Sequence, residues 1–248
     1  MSTASLFCLF GLATATPGQE GLVSYPAGKD KLQGYLCRPE GTGPFPAVII
    51  VHGDYGFGDH EKQLARRLAK NGFVALAVDL YRGVKVVELI DAHIMDRGLP
   101  ESQALGDLDA AVTYLTGRAD VRRGDIGIIG WDMGGGYALD AARRDRRLRA
   151  AVTCYGRLTT DPALLAPMQA SVLGLFAGKD IGITPATIEQ FRKAMLTAGK
   201  RAADLHIYPE CEHGFLNPRP PAGRKAPPET VADAWSRIDA YFARELNR

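Results

Sequence analysis

Short, wholly apolar runs alternate along this chain with segments whose apolar residues recur every three or four positions. Ala47–Val51 (AVIIV), bounded by Pro46 and Gly53, has the continuous apolarity of a strand buried on both faces. Phe73–Val78, Ile126–Ile129, Ala150–Cys154 and Val172–Ala177 read the same way, with Leu32–Cys37 and Leu205–Tyr208 as further strands. Between them, His60–Lys70 carries Leu64, Ala65 and Leu68 at helical spacing, and Asn71-Gly72 stops it. Gln103–Leu115 lines up Leu105, Leu108, Val112 and Leu115 on one side; Met133–Arg144, Thr187–Ala198 and Glu229–Leu246 complete the helices. Pro39–Pro46 is a turn-rich break. Strands alternating with helices predict an α/β fold: a mainly parallel central sheet with helices on both faces. Such sheets bind ligands at the carboxyl ends of their strands.

Polar groups collect at those ends: His52-Gly53-Asp54, Asp79-Leu80-Tyr81-Arg82, Asp132, Asp180 and His213. The strongest signal is Gly130-Trp131-Asp132-Met133-Gly134-Gly135, where a strand (IGII) runs through Gly-x-Asp-x-Gly-Gly into a helix. This is the setting of a nucleophile elbow, a sharp turn that thrusts its central residue out. An Asp there would also serve as a helix N-cap. Further on, Asp180 ends one strand and His213 follows another, so nucleophile, acid and His come in the chain order of α/β-hydrolases. In that arrangement His213 activates a nucleophile and Asp180 fixes its tautomer. The backbone N–H groups of Met133 and Asp54 are candidates for an oxyanion hole.

From about Leu22 onward the chain resembles the dienelactone hydrolase family of α/β-hydrolases. The matching stretches are Pro46–Gly56 (PAVIIVHGDYG), Gly72–Tyr81 (GFVALAVDLY), Gly106–Leu115 (GDLDAAVTYL), Gly130–Gly136 (GWDMGGG) and His213–Asn217 (HGFLN). The resemblance implies an α/β-hydrolase fold without a cap domain, residues 21–248 forming one domain, and a Cys-His-Asp triad that cleaves small esters and lactones without a cofactor. Two positions depart from it. The family's nucleophilic Cys falls on Asp132, and its Glu after the first core strand, which helps form the thiolate, falls on Gly53. A thiol with a pKa of about 8.5 needs help to ionise, whereas an Asp at about 3.9 does not, and a second carboxylate beside it only repels it. Three readings of Asp132 stand open: an ester or lactone hydrolase, an Asp-nucleophile hydrolase of carbon–halide or similar sp3 centres, and an inactive nucleophile variant that only binds. The Gly-x-Asp-x-Gly-Gly elbow after an HG turn also resembles haloalkane dehalogenases and epoxide hydrolases, but their cap is missing. Tyr81, Arg82 and Trp131 are the candidate substrate contacts; packing is the other reading of Trp131, and a solvated loop that of Arg82.

Composition narrows the setting more than the chemistry. With 248 residues, 46% of them apolar and a net charge of +2, the chain is an ordinary globular protein too balanced for nucleic acid or a charged membrane surface. A small-molecule substrate is the expected partner, on a monomer or homodimer. The four cysteines (Cys8, Cys37, Cys154, Cys211) show no zinc spacing, and Asp59-His60 and His93 with Asp91 and Asp96 make no convincing metal set. Leu6–Leu12 followed by Ala13-Thr14-Ala15 gives residues 1–20 the look of a signal peptide lacking its basic start, so cytoplasmic and exported locations stay open. The arginines from Arg143 to Arg149 suit a solvated helix end, and Pro218–Pro228 reads as a loop that rims the pocket or merely connects.

Overall fold

The computed structural model of the protein describes residues 18–86, 88–217 and 226–247. The leader expected over residues 1–20 and the Pro-rich loop lie mostly outside those residues. Eight strands form one sheet: β1 (Glu20–Ala27), β2 (Asp30–Cys37), β3 (Phe45–Val51), β4 (Val74–Val78), β5 (Val121–Trp131), β6 (Leu148–Cys154), β7 (Ser171–Ala177) and β8 (Asp204–Tyr208). Their spatial order is β1-β2-β4-β3-β5-β6-β7-β8. Only β1 and β2 run antiparallel to their neighbours; β4 through β8 form a parallel array. The continuous apolar runs are the central strands, and Ala47–Val51 is fully inaccessible because both of its faces are covered.

One face packs against α1 (Asp59–Lys70) and α7 (Pro228–Leu246): Leu64, Leu68, Ile238 and Phe242 meet Val48, Ile50, Ile129 and Val152. The opposite face receives α3 (Glu101–Thr116), α4 (Met133–Arg144) and α6 (Pro185–Thr197), with Leu108, Val112, Ala138 and Phe191 in the same cluster as Ile49, Leu76 and Ile128. Alternate residues of one strand thus enter two cores, as a period of two requires. Between β6 and β7 there is only α5 (Pro162–Leu165), a single turn, so among the described residues no cap covers the carboxyl edge of the sheet. No helix among them is long and apolar enough to cross a membrane.

Besides the single turn α5, two elements have no counterpart in the hydrophobic pattern. β1 is an edge strand whose residues stay mostly accessible, so it lacks an apolar run. α2 (Leu89–Gly98) buries Ala92 but presents no apolar stripe. Its Asp96 nonetheless reaches the site described next.

Candidate active site

Asp132 sits where β5 ends and α4 begins, with φ +57° and ψ −122°, a strained conformation for a non-glycine residue. Its backbone is held on both sides: its N–H donates to the Cys154 carbonyl at 3.0 Å, and its carbonyl accepts from the N–H groups of Gly135 and Gly136. The sharp turn brings backbones so close that a Cβ on Gly130 would lie 2.1 Å from the Gly134 carbonyl oxygen, and one on Gly134 2.2 Å from that of His52. The two glycines are therefore a steric requirement of the elbow.

The elbow aims Asp132 at His213, on the loop after β8. His213 Nε2 lies 2.8 Å from Asp132 Oδ1 and Nδ1 lies 2.6 Å from Asp180 Oδ2. Asp180, buried at the end of β7, is oriented by two N–H donors on its other oxygen, from Gly182 at 2.8 Å and Ile183 at 3.0 Å. Burial alone would lower the His213 pKa, but the hydrogen bonds to Asp132 and Asp180 and their charges outweigh it and raise it to about 10. At neutral pH the ring is an imidazolium, lying between Asp132 and Asp180. Asp180 responds in kind: burial pushes its pKa up, yet His213 and the two N–H donors hold it below the ordinary carboxylate value.

Beside the elbow the tight turn after β3 presents Asp54. Its backbone is fixed by the Tyr81 hydroxyl, which donates to the Asp54 carbonyl at 3.1 Å. Its side chain faces the elbow, and the Met133 N–H donates to Asp54 Oδ1 over a long 3.4 Å. Burial, followed by the charges of Asp132 and Asp96, pushes the Asp54 carboxyl up to about 7. The turn itself rests on His52, wholly buried: Nδ1 donates to the Gly53 carbonyl at 2.8 Å and Nε2 accepts from the Leu80 N–H at 3.1 Å. Burial holds His52 at a pKa of about 4, so it is a neutral clamp between two loops.

An open cleft of about 460 Å³ lies in front of Asp132 and His213, lined also by Met133, Tyr137, Arg157 and Ile183. A second cavity of about 40 Å³, lined by Asp54, Tyr55, Trp131 and Tyr155, adjoins Asp132. The structure brings Asp132, Asp180, His213, Met133 and Asp54 together. The expected substrate contacts Tyr81, Arg82 and Trp131 do not line the open cleft. Arg82 lines neither space, because its guanidinium grips the buried Asp107 through two nitrogens, at 2.8 and 3.1 Å, and Asp30 through a third. Tyr81 is buried beneath the Asp54 turn, its hydroxyl also 3.4 Å from the Met133 sulfur. Trp131 lines only the small cavity and packs against Trp235 and His60. Arg157, two residues beyond Tyr155 and held by Asp140 at 2.7 Å, also lines the open cleft. The strand-end rule pointed to its neighbourhood, but the Ala150–Cys154 run stops short of it. The Asp54 carboxyl was hidden differently, since only its backbone N–H was expected to matter.

The dienelactone hydrolase family model matches residues 32–246, nearly the whole described chain. The chain belongs to the dienelactone hydrolase family. A protein of Methylorubrum extorquens named as a carboxymethylenebutenolidase is 34% identical, covering 90% of this chain and 80% of its own length. A Bradyrhizobium protein named as a 2-oxo-3-(5-oxofuran-2-ylidene)propanoate lactonase is 33% identical over 95% of this chain and 98% of its own. Among solved structures, a Klebsiella pneumoniae protein described as a dienelactone hydrolase superposes with a TM-score of 0.82 at 28% identity, covering 92% and 100% of the two chains. This dienelactone hydrolase family member is therefore a hydrolase with the α/β-hydrolase fold. It keeps the elbow but carries a carboxylate there, and a Cβ on Gly53 would stand 3.5 Å from the Asp132 Cβ, directly beside it.

Proposed function

We propose that this protein hydrolyses small esters or lactones with good leaving groups, using Asp132, His213 and Asp180 as a carboxylate–imidazolium–carboxylate relay. The observation that carries the reading is His213 held within hydrogen-bond distance of both carboxylates at the wall of an open cleft. A water at Asp132 attacks the carbonyl carbon and gives its proton to the Asp132 carboxylate. The carbonyl electron pair becomes an oxyanion facing the N–H groups of Met133 and Asp54. As the bond to the leaving oxygen breaks, His213 Nε2–H protonates it. The proton on Asp132 then returns to His213 across 2.8 Å, which resets the site. Direct attack by Asp132 on an ester would instead form a mixed anhydride and expel an alkoxide more basic than itself. A carboxylate is a weak base for water, so activated aryl esters and enol lactones are the expected substrates.

Single-turnover hydrolysis in heavy-oxygen water, followed by mass spectrometry of the Asp132 peptide, tests this. Label in the product carboxylate and none in Asp132 is the expected result. Label in Asp132 replaces the reading with covalent attack, the chemistry suited to carbon–halide and similar sp3 centres. No turnover across aryl esters, lactones and haloacids leaves these residues a binding role.

A further inference from the structure

We infer that the Asp54 side chain is itself a catalytic acid of this site: its carboxylic acid donates a hydrogen bond to the substrate carbonyl oxygen beside the Met133 N–H, while Asp132 takes the proton of the attacking water. The inference rests on the hydrolytic reading above and gives that reading a second carboxyl group.

The geometry comes first. Asp54 stands in the turn that closes with the Gly56 N–H on the Gly53 carbonyl at 3.0 Å, and the Tyr81 hydroxyl holds its backbone. That leaves the side chain facing the elbow, where its Oδ1 already meets the Met133 N–H, the donor next to the nucleophile position. At 3.4 Å this contact is long for an N–H···O bond and easily exchanged for a substrate oxygen. Asp54 and Asp132 line one small cavity, and Asp132 and Met133, the residue whose N–H meets Asp54, also line the open cleft. The groups around Asp54 decide its proton. Asp132 faces it from the elbow and Asp96 from α2, both opposing its ionisation, while His213 favours it. Tyr81 and Tyr155 adjoin it from the ends of β4 and β6, and His60 and Glu61 of α1 line the same cavity. Burial and the two like charges win, and the carboxyl holds its proton up to about pH 7. A carboxyl group that keeps its proton beside a second one placed to accept a proton is what acid–base division of labour needs. Once ionised, Asp54 loses its donor and sets a negative charge against the developing oxyanion.

The test is the pH profile of kcat/KM for an aryl ester, measured on the full-length protein and on Asp54→Asn and Asp54→Ala. In the unsubstituted protein kcat/KM falls tenfold per pH unit above about 7, from Asp54, and again above about 10, from His213. Asp54→Asn keeps an N–H donor that does not titrate, so the limb near 7 disappears and the rate at pH 6 drops by about tenfold at most. Asp54→Ala loses the donor and about 100-fold in kcat. A limb near 7 that persists in Asp54→Asn overturns the inference while leaving the hydrolytic reading intact. Carbon-13 titration of the Asp54 carboxyl in the unsubstituted protein reads the same group without relying on a variant's folding. A midpoint near 4 overturns the inference, and a midpoint near 7 supports it. Absence of turnover in the unsubstituted protein removes the hydrolytic reading and the inference together.

Discussion

An imidazole gripped by two carboxylates, as His213 is by Asp180 and Asp132, couples stability to pH as well as proton transfer to chemistry. Its folded-state pKa of about 10 lies above the ordinary value near 6.5, so the stabilisation is fully present below about pH 6.5 and is lost as pH rises through 10. Asp54 acts the other way in mechanism but with the same trend. Its raised value means the native state holds a proton that the unfolded chain releases from about pH 4, so stability falls between about 4 and 7 and then levels. Urea denaturation at pH 6.5, 8 and 10 checks the first effect: the unsubstituted protein should lose more stability across that range than His213→Gln. Equal losses in the two proteins would mean that the imidazolium is not held as described. The sequence made Asp132, Asp180 and His213 legible because chain order and strand ends mark them. It could not mark the Asp54 carboxyl, whose surroundings are set by Tyr81 beyond β4 and by Asp132 and Met133 beyond β5.

The β5–elbow–α4 unit concentrates the steric constraints of the fold. A Cβ on Gly134 would collide with the backbone oxygens of both Val51 and His52, so β3 and α4 can only approach as they do if residue 134 is glycine. Gly134→Ala should destabilise by about 1–3 kcal/mol or more, read by thermal or urea denaturation, because the obstacle is backbone and cannot rotate away. Gly106 is the internal control: it lies within α3 with no atom within 4 Å of its would-be Cβ, so Gly106→Ala should stabilise by about 1 kcal/mol. At this scale the apolar runs predicted the central strands and the amphipathic helices well. β1 and α2 were missed for a common reason, that neither buries a continuous face; β1 is held by its pairing with β2, and α2 enters the core through Ala92.

Across the whole molecule, charged pairs tie the carboxyl-edge loops to the helices, and Arg82 shows how that competes with function. It sits at a strand end, where the general rule for parallel sheets looks for ligand contacts, yet it serves to neutralise Asp107, a carboxylate of α3 whose side chain is only 5% exposed. Arg82→Gln should therefore leave KM for aryl esters within about twofold, and cost about 1–3 kcal/mol of stability by leaving Asp107 unpaired. A large rise in KM with stability unchanged would return Arg82 to the substrate. Arg157 and Asp96 both line the cleft, so it carries charges of both signs.

The sequence by itself determined the order and type of most elements, the parallel sheet, the elbow and the strand-end places of Asp132, Asp180 and His213. These follow from local periodicity and glycine sterics, which are properties of short stretches, and from the order of those stretches along the chain. Tertiary structure alone decided the polar meetings that chain order does not mark: Asp54 with the Met133 N–H, and Arg82 with Asp107 rather than with the cleft. Apolar patterning specifies only which residues leave water. A polar group's partner is chosen by neighbours 25 to 81 residues distant, and only the folded backbone brings those neighbours together.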